Sequence, residues 1–230
     1  MRKFFAIFLT IIFVSMVSFG QRRPVRKTAP AKPPSVVPIK GIVDKGSISG
    51  RTYTNKNLNF SITFPDTWLV PDSDFEDYMK KQGFDLSLKA PDNLGMGEKA
   101  RINQSLKRVE VLVTAYRSMP GSTDNAIMRV SAEDLKTNPQ IKDAVDYIDA
   151  MRVMFRTMKL TPDLKYSETE AEKLGSHQFA FIDVSSNAGK KRLYATVRNG
   201  FAILFTLSYR DDNDLQAMRQ ILTDGNFRLK

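Results

Sequence analysis

From residue 47 onward, apolar and polar positions repeat with two different periods, and the changes between them mark out strands and helices. Phe60, Ile62 and Phe64 alternate with Ser61 and Thr63, so this stretch reads as a strand with its apolar side chains on one face. A shorter strand at Tyr53 precedes it across a turn. Pro65 stops the ladder, and Trp68, the sole tryptophan, follows. Asp72 and Asp74 stand ahead of Phe75, Tyr78 and Met79 at helical spacing, so one of them caps a short helix ending near Gly83. Residues Pro91 to Gln104, where Gly95 and Gly97 flank Met96, follow neither period and read as an irregular loop. A strand from Arg108 to Arg117 with Val109, Val111 and Val113 on one face comes next. Pro120 and Gly121 then signal a turn, and Ala126 to Val130 a further short strand.

Asn138 and Pro139 open the best helical pattern, because proline at the first helical position loses no useful donor. Its stripe is Ile141, Val145, Ile148, Met151, Phe155 and Met158. Beyond Pro162 the chain turns to strands: Lys165 to Leu174 is polar and alternating, and Gln178 to Ser185 sets Phe179, Phe181 and Asp183 on one face. Residues Lys191 to Arg198 and Phe201 to Tyr209 are joined by Asn199 and Gly200, the signature of a two-residue hairpin. That register places Val197 opposite Ala202 and Ala195 opposite Leu204 on one side, and Tyr194 opposite Phe205 on the other. Apolar groups on both faces put this hairpin inside a sheet covered on both sides. Asp212 or Asn213 then caps a helix carrying Leu215, Met218, Ile221 and Leu222, with Gly225 at its end and Phe227 to Leu229 extended beyond it.

Charge changes the picture at the N-terminus. The 230 residues carry a formal net charge of +10, and eight of those charges fall within residues 1–46. The excess therefore precedes the predicted fold, which removes the usual case for nucleic-acid binding by a basic domain. Residues 1–20 read as a signal peptide: Arg2 and Lys3, an apolar run from Phe4, then Ser18 and Gly20 before a cut at Gln21. The alternative is an uncleaved membrane anchor, since Arg22, Arg23, Arg26 and Lys27 resist translocation. Residues 21–46 hold five of the eleven prolines and seven basic residues, and read as an extended linker that can touch an anionic surface. Residues 47–230 form one domain, exported to the periplasm or the extracellular space. With no cysteine in the chain, thiol chemistry and cysteine-bound metal are excluded.

Two stretches resemble the PsbP-like superfamily. One is Tyr53, Asn55, Phe60, Ser61, Ile62, Phe64, Pro65 and Trp68 in their order and spacing; the other is the closing hairpin, capped helix and Phe227. The resemblance spans about residues 50 to 230. It implies an α+β fold in which an antiparallel β-sheet is sandwiched between helices, a PsbP-like α/β/α sandwich. It further implies a protein that binds other proteins or supports an assembly, and it brings no shared catalytic set. No motif for the metal or photosystem contacts of PsbP is matched here.

The chemistry-bearing residues are sparse. His177, the only histidine, follows Gly175 and Ser176 and reads as a surface turn residue; no nucleophile elbow accompanies it. The run Asp211, Asp212, Asn213, Asp214 and the cluster from Asp72 to Asp77 lack the glycine and the terminal glutamate of a calcium loop, and read as helix caps. Lys190, Lys191 and Arg192 form a basic run that reads as a solvated edge or turn. The expectation is an exported, non-enzymatic binding or assembly-support protein of the cell envelope, without cofactor, catalytic residues, metal or nucleic acid. Its protein partner would meet Tyr53, Asn55, Trp68 and Met96, on irregular segments held by the scaffold. The alternative is a small-molecule carrier or enzyme with a pocket between sheet and long helix, lined by Met151, Met154 and Phe155.

Overall fold

The computed structural model describes residues 43–82, 95–120, 125–157, 163–187 and 189–228, together with residues 88 and 122. The expected leader, most of the linker, and Gly83, Pro91, Gly121, Met158 and Leu229 lie outside the described residues. Strands β1 (Ser47–Ser49), β2 (Thr52–Asn55) and β3 (Phe60–Thr63) make a small sheet in that order. The larger sheet contains β4 (Val109–Tyr116), β5 (Ile127–Asp134), β6 (Lys165–Tyr166), β7 (Glu170–Leu174), β8 (His177–Ser186), β9 (Gly189–Arg198) and β10 (Phe201–Tyr209). Its order is β4-β5-β10-β9-β8-β6, with β7 also paired to β8, and its pairings are antiparallel. The helices are α1 (Ser73–Lys81), α2 (Met96–Leu106), α3 (Ala144–Thr157) and α4 (Asp212–Thr223).

The β9–β10 hairpin organises this α+β fold. Asn199 and Gly200 take φ of 50° and 79°, so the tight turn matches strand twist. The register sets Val197 opposite Ala202, Ala195 opposite Leu204 and Tyr194 opposite Phe205, as the pattern predicts. Because successive side chains leave a strand on opposite faces, the large sheet has two apolar sides. Phe179, Phe181, Tyr194 and Phe205 pack with Leu215, Met218, Ile221 and Leu222 of α4 and with Phe60, Ile62 and Phe64 of the small sheet. Ile182, Leu193, Ala195 and Leu204 pack with Tyr147, Ile148, Met151 and Phe155 of α3 and with Ile102 of α2. The first face is thus shared between one helix and a second sheet, not covered by helices alone. Each fully buried side chain of this size contributes about 1.5–3 kcal/mol.

Several elements differ from expectation for identifiable reasons. The stretch expected as a loop at Pro91 to Gln104 is helical from Met96, because Ile102 is fully buried and Leu106, one turn on, packs beside it. The long helix starts at Ala144 rather than Pro139: Asp143 Oδ1 accepts from the backbone N–H groups of Val145 and Asp146, both at 2.9 Å, and outcompetes proline as the start. Asp211, not Asp212 or Asn213, caps α4 by accepting from Asp214 N at 2.9 Å. Strand β5 runs on to Asp134. In β4 the register shifts between Val111 and Val113, so Val113 joins the α4 side while Val109 packs on the α3 side. The expected strand from Lys165 to Leu174 breaks in two, because Ser167 Oγ accepts from Asp183 N and the next residues turn toward α3, where Arg152 holds Glu168 and Asp149 holds Thr169.

Candidate functional site

An interior strand divides a run of like charges between two environments, and β9 does this to the basic run at 190–192. Lys190 is exposed, with Nζ 4.0 Å from Asp212 Oδ1. Arg192 faces the α4 side. Lys191 shares its face with Leu193 and Ala195, the α3 side. The run is therefore not a solvated edge or turn, as expected from the sequence. Register places Lys191 opposite Ser208 of β10 and Val184 of β8. Two residues along β10, Thr206 stands opposite Arg129 of β5, which in turn stands opposite Thr114 of β4. Arg129 Nε donates to Thr114 Oγ1 at 3.3 Å.

Strand spacing and rise put the Cα atoms of Arg129 and Lys191 on the order of 12 Å apart, two strands over and one pleat along. Arg129, Lys191, Thr206 and Ser208 are all half-buried. Burial, and then the neighbouring Arg129 guanidinium, lower the Lys191 ammonium from 10.5 to about 7. Arg129, Thr206, Ser208 and Lys191 thus share one end of the α3-side face, and Ser131 and Glu133 are further polar residues on it. The signal was present in the hairpin register, which fixes Lys191 opposite Ser208 once Asn199 and Gly200 are recognised as the turn.

Other polar clusters are tied into the scaffold. His177 is not a surface turn residue: it begins β8, half-buried, with its ring stacked on Phe227 at 5.0 Å and edge-on to Phe179 at 4.7 Å. Arg198 can only donate, so His177 Nδ1 accepts from it at 3.1 Å, and Nε2 carries the proton toward Thr196 Oγ1 at 2.9 Å. Burial first, then Arg198 and Arg228, push its pKa down to about 4. On the α4 side, Arg192 grips Asp183 through two bonds of 2.7 and 2.6 Å and lies 4.4 Å over the Phe181 ring. Glu172 beside it accepts from Tyr194 and from Arg219 of α4, which pins that helix to β7. Burial, and then the bond to Glu172, raise the Tyr194 phenol to about 12. On the α3 side, Glu133 is 3% exposed and accepts from Tyr147 Oη at 3.1 Å. Burial raises its carboxyl to about 7 against the opposing effects of Tyr147 and Arg108.

The residues expected to meet a partner fall into two groups. Asn55, fully buried, donates to Asp44 O at 2.6 Å and to Tyr53 Oη at 3.1 Å, and its Oδ1 accepts from Leu58 N at 2.9 Å. Tyr53 donates to Lys45 O at 2.9 Å. Trp68 is buried in the same apolar cluster as Tyr53. These three shape the small sheet and its surroundings. Met96 stands apart from them at the start of α2, 91% exposed. Met151, Met154 and Phe155, expected as a pocket lining, are buried core residues. Asp72 caps α1, and Asp214 pairs with Arg117 at 3.1 Å.

No protein-family model matches this sequence, and no curated protein matches it. Among solved structures, the chain is similar to the solution structure of cyanobacterial PsbP (CyanoP) from Synechocystis sp. PCC 6803, at 14% identity and a TM-score of 0.43, over 79% of this chain and 98% of that one. It is also similar to a crystal structure from Bacteroides thetaiotaomicron, at 12% identity and a TM-score of 0.39, over 80% of this chain and 50% of that one. A protein of unknown function from Pseudomonas aeruginosa matches at 14% identity and a TM-score of 0.36, over 50% of this chain and 80% of that one. The first of these bears the family name suggested by the stretch from Tyr53 to Trp68. Likenesses of this size leave the chemistry of the chain to its own residues.

Proposed function

We propose that this chain is an exported, non-enzymatic binding or assembly-support protein of the cell envelope, and that it meets its partner at the Arg129 and Lys191 end of the large sheet. In this reading the fold is a PsbP-like α/β/α sandwich whose α4 layer is completed by the small sheet. The observation that carries the proposal is the register that sets Arg129 opposite Thr206 and Lys191 opposite Ser208 on one face, all four half-buried. The groups that acid–base or nucleophilic chemistry would recruit are committed to packing: both nitrogens of His177 are bonded, and Glu133 and Tyr147 face each other inside the core. Among the described residues no helix is long and apolar enough to cross a membrane.

The test is recovery of partners by the tagged full-length chain from the envelope fraction. The Arg129→Gln, Lys191→Gln double variant should lose a partner that the wild type retains, while Lys173→Gln, which removes an exposed cation on β7, should keep it. Identical recovery by all three, or no specific partner with any, contradicts the proposal.

A further inference from the structure

We infer that the C-terminal segment Asn226 to Arg228 is an acid-released strap, held over an aromatic cluster by His177 and freed when that ring takes a proton. The strap pairs with β3 through Asn226, whose N–H donates to Ser61 O at 2.9 Å while its carbonyl accepts from Ser61 N at 2.8 Å. Phe227 follows, 2% exposed, with its ring centroid 5.9, 5.2 and 5.9 Å from those of Phe60, Phe179 and Phe205. Gly225 permits this close turn, since a Cβ there would stand 2.8 Å from the Phe227 ring. The His177 ring stacks on Phe227, and its Nδ1 accepts from Arg198. Arg198 also donates to Asn59 O at 2.9 Å and lies 5.8 Å over the Phe227 ring. One neutral imidazole therefore ties together β8, β9, the turn before β3 and the strap.

Protonation removes the acceptor on which this clasp depends. An imidazolium only donates, so its Nδ1–H would face the N–H that it now receives from Arg198. The charged groups bearing on the ring are Arg198 of β9 and Arg228 of the strap itself, and neither has a carboxylate partner among the described residues. Around it, β7 contributes Leu174, β8 Phe179 and β9 the Thr196 hydroxyl, while Asp224 at the end of α4 accepts from Gln220 Nε2 at 2.8 Å. A protonated His177 thus makes three cations at one place, and Arg228 moves away from the other two only if the strap lifts. The closed state holds the ring pKa at about 4, so the contribution of the neutral ring is full above its ordinary value of 6.5 and is lost as pH falls toward 4. Lifting the strap returns the imidazolium to water and uncovers Phe60, Phe179 and Phe205.

The experiment is amide hydrogen exchange, read by NMR on the full-length protein at pH 7, 6, 5 and 4, with each rate corrected for the intrinsic effect of pH on exchange. The amides of Ser61 and Asn226 report the strap, and those of Ala195 and Leu204 report the hairpin core. Protection of Ser61 and Asn226 should fall by roughly tenfold or more between pH 7 and 4, short of tenfold per unit because water screens the guanidiniums around a half-buried ring. Ala195 and Leu204 should keep theirs. His177→Gln retains an oxygen to accept from Arg198 and takes no proton in this range, so its strap protection should stay level; Arg228→Gln should lose less protection than wild type. Strap protection in wild type that does not change with pH overturns the inference, as does a loss shared equally by Ala195 and Leu204, which marks unfolding of the whole domain. Both are read on wild type, so misfolding of a variant cannot mask them. An equal loss in folded His177→Gln overturns it as well.

Discussion

Replacing Glu133 with glutamine should make the protein more stable above neutral pH, although the residue lies in the core and is hydrogen-bonded. The carboxyl is 3% exposed, between β5 and α3, and its pKa moves from 4.5 in a solvated chain to about 7. A raised carboxyl pKa means that the folded state holds the proton more tightly than the unfolded state. Its contribution to stability is therefore full at low pH and is lost as pH rises through the interval between the two values. At 1.36 kcal/mol per pH unit, that interval corresponds to about 3 kcal/mol, lost between roughly pH 4.5 and 7 and level beyond. Glutamine keeps an oxygen to accept from Tyr147 Oη and has no charge to bury. Urea denaturation of wild type and Glu133→Gln at pH 5, 6, 7 and 8 checks this. The two should be close at pH 5, and the variant should lead by about 2–3 kcal/mol at pH 8. Parallel stability curves over the whole range would refute a desolvated, titrating Glu133.

Gly175→Ala should cost about 2–4 kcal/mol in the same assay, because φ is +55° and a Cβ there would stand 2.2 Å from the Thr223 carbonyl oxygen at the end of α4. Asn55→Ala should lose about 1–3 kcal/mol of stability by leaving Leu58 N without its acceptor, and leave partner recovery unchanged once the protein is folded. Phe227→Ala should cost about 3–5 kcal/mol, and the His177 pKa, followed by NMR, should rise from about 4 toward its ordinary value as the ring loses its stacking partner and its burial.

Periodicity carried the scaffold wherever one face of an element is buried. Tyr194 and Phe205 face each other because a recognisable turn fixes their register, and Leu215, Met218 and Leu222 lie on one side of α4 because helical spacing puts them there. Where a side chain competes with the pattern, periodicity misplaced boundaries. Asp143 starts α3 five residues after Asn138 because its carboxylate satisfies two helix-end donors at once, a contest that spacing alone does not weigh. Val109, Val111 and Val113 look like one face, but the register shift between Val111 and Val113 changes the phase.

The environment of Lys191 was not legible for a related reason. Tyr53, Asn55 and Trp68 were expected to meet a partner from irregular segments held by the scaffold; in the structure Tyr53 and Asn55 bond to Lys45, Asp44 and Leu58, and Trp68 packs in the core. Lys191 looked like one member of a solvated run. Its environment comes from β10 and β5, strands that are distant in sequence or joined only through the hairpin register, so composition cannot show that Arg129 is its neighbour.

The most direct test of the account is the NMR titration of lysine side chains in full-length protein labelled at lysine, from pH 5 to 10, with Lys191 assigned by its absence in Lys191→Gln. Lys191 should titrate with a midpoint near 7, lowered by its burial and by Arg129. A Lys191 that titrates at its ordinary value contradicts it.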